Sequence, residues 1–226
     1  MKRLFIITNL MLFGFLASGQ EREERKLGSF DEVRISQGID AYLEKGSTES
    51  VRIEVRGIPL EDVLTEVFGD RLKVHLSKNR WRDYSVTVYI SYVDLEGISA
   101  SSAANVFGKN KITGSRLDLD VSSAADIEVE VDVEDLSVDA SSSGDVEVSG
   151  RAKYLNIDVS SAGGVDAYDL EAEIVRVDAS SGAGAKVFAT KEINAEASSG
   201  ASVRYRGDPA KSRTDTSSGG SVRKSN

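Results

Sequence analysis

Val138 to Gly150 reads VDASSSGDVEVSG, two short alternating segments separated by a cluster of small residues. Taken alone it has the composition of a flexible Ser/Gly linker. Its neighbours decide otherwise. A Ser-Ser pair recurs at Ser101, Ser122, Ser141, Ser160, Ser180, Ser198 and Ser217, at intervals of 21, 19, 19, 20, 18 and 19 residues. A linker has no reason to hold a period, whereas a stacked structural repeat must.

The flanks of each pair carry a second regularity. Two residues before the second Ser stand Ala100, Val121, Ala140, Val159, Ala179, Ala197 and Thr216. Four before it stand Ile98, Leu119, Val138, Ile157, Val177, Ala195 and Thr214, and acids such as Asp120, Asp139, Asp158 and Asp178 fall between. Four residues after it come Val106, Ile127, Val146, Val165, Ala185, Val203 and Val222. Alternation with a period of two marks strands with one buried and one wet face. Every repeat reads in the same direction: strand, small-residue corner, strand, second turn. One repeat cannot bury its apolar face alone, so the pattern predicts an all-β fold, a parallel β-helix or β-solenoid with right-handed crossovers and coils of about 19 residues. Continued alternation reads Ser123, Ser142, Ser161, Ser181 and Ser199 as structural corner residues pointing inward, where only small side chains let the coil close. The final repeat places Ser212, Thr214 and Thr216 where earlier coils carry aliphatics, as suits an exposed end.

Upstream of the repeats, residues 1–19 have the form of a secretory signal peptide: Lys2 and Arg3, an apolar run from Leu4 to Leu16, then Ala17, Ser18 and Gly19. That run is shorter than the roughly 20 residues of a membrane span, and no comparable stretch follows. Residues 20–226 are read as one exported domain, with residues 28–92 as its less regular part and residues 93–226 as the repeat coils. Within the less regular part, Ile58 to Phe68 reads as a short helix and SVTVYI from Ser85 as a strand. The chain has no Cys, which excludes disulfides, thiolate metal sites and Cys nucleophiles. Loss of Lys2 and Arg3 takes the formal charge from −9 to −11, which argues against nucleic acid as a partner.

No catalytic constellation stands out. His75, the only His, lies in the alternating strand LKVHL, and no Gly-x-Ser-x-Gly elbow or phosphate-binding glycine fingerprint occurs. Catalytic, cofactor and metal residues are therefore all read as none. The column Asn105, Asp126 and Asp145 hints at a calcium ladder, but it continues as Gly164, Gly184, Ser202 and Ser221, too few oxygen ligands for calcium. Charge is graded along the repeats: residues 115–180 hold 17 acids against 4 bases, residues 181–226 hold 4 against 8. The aromatic cluster Trp81, Tyr84, Tyr89 and Tyr92, with Arg80 and Arg82, is the candidate ligand contact, since aromatics stack on sugar rings.

The chain resembles the bacterial head GIN domain family of exported adhesins, frequent in Bacteroidetes-like bacteria. Phe30-Asp31-Glu32-Val33, the strand Gly38-Ile39-Asp40-Ala41-Tyr42-Leu43, then VRIEV, GDRLKVHL and the Ser-Ser-Gly repeats carry the resemblance over residues 28–222. The family's Gly-Ile-Asn stands here as Gly38-Ile39-Asp40. The resemblance implies an exported, β-helix-like protein of the periplasm, outer surface or medium. The expected function is non-enzymatic: rigid β faces presented to a protein or glycan partner, of unassigned oligomeric state. A carbohydrate-active lyase or hydrolase on a β-helix is the alternative.

Overall fold

The computed structural model describes residues 21–78 and 83–225, so the signal-peptide reading and three members of the aromatic cluster, Arg80, Trp81 and Arg82, lie outside the described residues. The strands in chain order are β1 (Glu21–Lys26), β2 (Glu32–Ser36), β3 (Asp40–Lys45), β4 (Ser50–Arg56), β5 (Val63–Phe68), β6 (Arg71–Leu76), β7 (Ser85–Tyr92), β8 (Gly97–Ser101) and β9 (Asn105–Gly108). They continue as β10 (Ile112–Ser122), β11 (Asp126–Ala140), β12 (Asp145–Val159), β13 (Gly164–Ala179), β14 (Gly184–Ala197), β15 (Ser202–Arg206), β16 (Lys211–Thr216) and β17 (Ser221–Lys224). Together they form a β-solenoid of about seven turns, as the period demands. From β8 onward every neighbouring pair is parallel.

Each coil has a leading wall before its corner and a trailing wall after it. The corner itself is built from two consecutive residues in the left-handed region. First positions are Ser102, Ser123, Ser142, Ser161, Ser181, Ser199 and Ser218, with φ between 48° and 57°; second positions are Ala103, Ala124, Ser143, Ala162, Gly182, Gly200 and Gly219. An i to i+3 hydrogen bond closes the turn, for example from Gly144 N to Ser141 O at 2.9 Å. Positive φ at both central residues is the signature of a type I′ turn. Left-handed backbone costs a residue with a Cβ roughly 1–2 kcal/mol, which selects small side chains and excludes β-branched ones.

This corrects the inward reading of Ser123, Ser142, Ser161, Ser181 and Ser199: all five are exposed. The residue that does turn inward is two further on, Ala125, Gly144, Gly163, Ala183 or Ala201, each buried. At Gly144 an added Cβ would lie 2.9 Å from Ser122 N and Val121 C, so the neighbouring coil leaves no room for a larger group. The second bend of the coil lies within continuous strands. Gly150 makes one such bend at φ +108°, where a Cβ would run into the Val131 carbonyl oxygen.

Corner backbone groups bond from coil to coil. Gly38 N donates to Ser102 O at 3.0 Å, Ala103 N to Ser123 O at 3.0 Å, Ala124 N to Ser142 O at 3.2 Å, and so on to Gly200 N and Ser218 O at 3.2 Å. The first rung reveals an eighth corner with no Ser pair: Gln37 and Gly38, both at φ 65°. Gly38-Ile39-Asp40 is thus the corner, inward residue and strand start of the β2–β3 coil.

The N-terminal part is interleaved rather than sequential. β2 pairs with β6 on one side and β8 on the other, and β3 with β7 and β9, so the β2–β3 coil lies between elements that follow it in sequence. Beyond β6 and β7 the solenoid is closed by antiparallel strands: β5 on β6, β4 on β7 and β1 on β4. The helix expected over 58–68 is a 3₁₀ turn at Leu60–Asp62 followed by β5. Pairing wins there because the edge of β6 would otherwise be left open, and Arg25 of β1 locks the segment by donating to the Leu60 and Val63 carbonyls at 3.1 and 2.6 Å.

One buried cluster runs from Phe30 to Val203. It is made of in-register columns such as Ile98, Leu119, Val138, Ile157, Val177 and Ala195. At the C-terminal end β16 is exposed throughout, and Ser212 and Thr214 cover Ile193 and Ala195. Gly150→Ala should destabilise the chain by about 2 kcal/mol or more in urea unfolding. Ser142→Val should cost about 1–2 kcal/mol, whereas Ser142→Ala should stay within about 0.5 kcal/mol, because the corner selects conformation and not a hydroxyl.

Candidate functional site

Strict register turns each outward strand position into a straight column of side chains about 4.8 Å apart. Two such columns dominate the surface. On the leading wall, Asp120, Asp139, Asp158, Asp178, Glu196 and Asp215 align in successive coils. With the parallel Ser column that includes Ser141, Ser160 and Ser180, they line a groove of about 680 Å³. Among these acids an ion pair is formed by Asp178, with Arg176 at 3.1 Å. The Asp139 carboxyl is pushed above its ordinary range by partial desolvation between coils and then by the carboxylates of Asp158, Asp120 and Asp118.

The trailing wall carries the second column. Arg52, Tyr89, Tyr42 and Phe107 stand at its N-terminal end, brought together by β4, β7, β3 and β9. The rings of Tyr89 and Tyr42 stack at 5.3 Å, those of Tyr42 and Phe107 at 5.2 Å. The Arg52 guanidinium lies 4.1 Å over Tyr89, and Lys109 Nζ lies 4.1 Å over Tyr42. The column then continues through three acids, Glu128, Glu147 and Asp166, and three bases, Lys186, Arg204 and Arg223. Beside it lies a second groove of about 640 Å³, widened by Gly164 and Gly184.

Of the sequence-read aromatic cluster, the described members Tyr84, Tyr89 and Tyr92 do not share one exposed face. Tyr92 is buried, at 1% exposure, so it is a core residue and not a ligand contact. Tyr89 is on the surface, but Tyr42 and Arg52 cover its two faces. Tyr84 is half-buried and donates from its hydroxyl to Gln37 O at 3.1 Å, bracing the first corner. The signal missed in the sequence was positional: Tyr42 is followed by Asp94–Gly108 only after β4 to β7 have intervened, so stacked neighbours lie 47 and 65 residues apart.

His75 has a local partner, with Nε2 2.9 Å from Glu66 Oε2 across the β5–β6 pair. The calcium-like column begins one coil earlier than the repeats, at Asp40, whose carboxylate accepts from Asn105 Nδ2 at 2.7 Å. Asp126 then stands beside Asp145, and its pKa is raised by desolvation and by that neighbour. Among the described residues no group of three or more His, Cys, Asp or Glu side chains is arranged to hold a metal ion.

An acid whose pKa is raised on folding loses stability as pH rises through the folded value, and regains it fully below the unfolded value. Asp139→Asn should therefore raise stability at neutral pH, on the order of 0.3 kcal/mol for an exposed cross-strand position. The advantage should vanish as pH falls below the ordinary aspartate value of 3.8, as read by thermal melts across pH.

Similar solved structures share this architecture. A crystal structure titled "putative adhesin" from Bacteroides fragilis superposes with a TM-score of 0.82 at 19% identity, covering 92% of this chain and 98% of that one. Another so titled, from Parabacteroides merdae, gives 0.74 at 19% identity over 93% and 98%. A "putative lipid binding protein" from Parabacteroides distasonis gives 0.69 at 18% identity over 93% and 98%. At these identities the likeness speaks for the fold alone. No curated protein matches. Residues 29–209, from the strand before the Gln37-Gly38 corner through β15, match the family model described as "Putative auto-transporter adhesin, head GIN domain", and the chain belongs to that family.

Proposed function

We propose that the chain is an exported, non-enzymatic binding module of the cell envelope or surface, an adhesin that recognises a protein partner through the acidic groove of its leading wall. The observation that carries this reading is the ladder of six carboxylates from Asp120 to Asp215, fixed in register on rigid backbone. A partner segment with Lys or Arg at matching spacing would meet regularly placed countercharges without reordering the site, which favours fast, salt-dependent association. Export is supported by the Lys2-Arg3, Leu4–Leu16 and Ala17-Ser18-Gly19 pattern. The family description supports adhesion, and the overall negative charge disfavours nucleic acid as the partner.

Binding is favoured over the carbohydrate-active alternative by the arrangement of the acids. Glycoside hydrolysis uses two carboxyls flanking the scissile bond from opposite sides. Here the carboxylates stand side by side along one wall. The covered faces of Tyr89 and the burial of Tyr92 likewise favour a protein over a glycan partner.

The test is binding of purified chain to envelope fractions of the native cell, for wild type and for the triple variant Asp139→Asn, Asp158→Asn, Asp178→Asn. Wild-type binding should fall steeply as salt is raised, and the variant should bind at least about tenfold more weakly. Equal binding by the variant would remove the groove from the recognition surface.

A further inference from the structure

The trailing-wall column has a symmetry that the leading-wall column lacks. Three acids are followed by three bases on the same line: Glu128, Glu147, Asp166, Lys186, Arg204, Arg223. We propose that this face is a self-association surface, on which two copies of the chain pair face to face in antiparallel stacking order about a two-fold axis running along the strand direction between Asp166 and Lys186.

That axis leaves positions along each strand unchanged and inverts the order of coils. Glu128 of one copy then meets Arg223 of the other, Glu147 meets Arg204 and Asp166 meets Lys186, each pairing occurring twice. A two-fold interface requires a self-complementary patch, and a run of three acids and three bases at constant spacing is one. Sheets pack about 10 Å apart, a gap that a glutamate and an arginine reaching toward each other can span.

Three further observations fit this occupant. First, the inner pair is satisfied within the chain, with Lys186 Nζ 2.7 Å from Asp166 Oδ2, whereas among the described residues Glu128, Glu147, Arg204 and Arg223 form no ion pair. Those four groups stand next to like charges, an unfavourable arrangement in an isolated sheet. Second, the neighbouring column obeys the same symmetry: the axis brings Asp145 opposite Ser202 and Asp126 opposite Ser221, acceptors facing hydroxyl donors. Third, Gly184, beside the axis, has nothing within 4 Å of where a side chain would start, so the two copies can approach there, while the space over Gly164 on the other side of the axis is taken by the Asp145 carboxylate. The stack of Phe107, Tyr42 and Tyr89 lies beyond the six matched coils and stays uncovered, as does the leading-wall groove.

The experiment is sedimentation velocity on the purified chain and on Glu147→Arg and Arg204→Glu variants, separately and mixed. Wild type should dimerise in about 0.01 M salt, where the screening length is about 30 Å, and dissociate in about 1 M salt, where it is about 3 Å. Each variant alone places two like-charge pairs in its own dimer and should self-associate about a hundredfold more weakly or worse. In an equimolar mixture every mismatched contact becomes a pair of opposite charges, so dimer should return as a one-to-one hetero-complex. The same exchange with Glu128→Arg and Arg223→Glu provides an independent second set. A wild-type chain that stays monomeric in low salt, single variants that associate like wild type, or mixtures that recover no dimer would each overturn the proposal.

Discussion

The structure depends on one backbone device, the two-residue left-handed corner whose second N–H donates to the first corner carbonyl of the next coil. Strand pairing alone tolerates slippage when neighbouring sequences are as alike as these, since a shift of two residues would still place apolar on apolar. A corner has no equivalent position two residues away. Matching corner to corner therefore removes the slipped alternatives and holds β10 to β14 in register along most of their length. The unfavourable backbone conformation is offset by the ladder: each turn satisfies groups that would otherwise be orphaned where the strands end.

Register is also what makes the surface meaningful. Because each outward position repeats every coil, substitutions along one column write a linear series of charges or rings at constant spacing. Inside, the same repetition is restrictive. The columns ending in Ala195 and Ala197 narrow the core toward the C-terminus, and Ser212, Thr214 and Thr216 then end it with polar groups. A polar, exposed last coil disfavours continued stacking through the open edge of β16. On the walls, the leading column is acidic from Asp120 to Asp215 and continues through Ser99 to the bases Arg34 and Lys73, and the trailing column changes sign between Asp166 and Lys186.

Much of this was readable from residues alone, and the failures have identifiable causes. The core columns through Val138 and Val146 were legible because period-two burial follows from strand geometry. The inward reading of Ser142 failed through the same rule. Ala140 and Gly144 both point inward, so alternation stays in phase across the corner and assigns Ser142 between them to the core, but left-handed backbone carries that residue out to solvent. The Gln37-Gly38 corner was hidden because it lacks the Ser pair, although it has the same backbone. The segment 58–68 has Leu60, Val63, Leu64 and Val67 at helical spacing, and its strand state is imposed by the open edge of β6, a partner that local sequence does not announce.

The trailing column shows where single-chain reading stops in physical terms. From Phe107 to Arg223 it follows the repeat and could be traced by counting five residues past each corner serine. Above Phe107 it passes to Tyr42, Tyr89 and Arg52 in reverse and interrupted chain order, because the β2–β3 coil is laid down first and its neighbours are threaded around it afterwards. The stacked rings are thus a product of topology. Their consequence is a change of chemistry along one line: rings and cations that satisfy one another at the N-terminal end, then acids and bases in the coils beyond, of which Asp166 and Lys186 pair with each other. A rigid ladder cannot relax such charges by rearranging its backbone. Water and salt screen them in part, and opposite charges placed against the face relieve them further, which is why the charged stretch, and not the aromatic one, is where an interaction is to be expected.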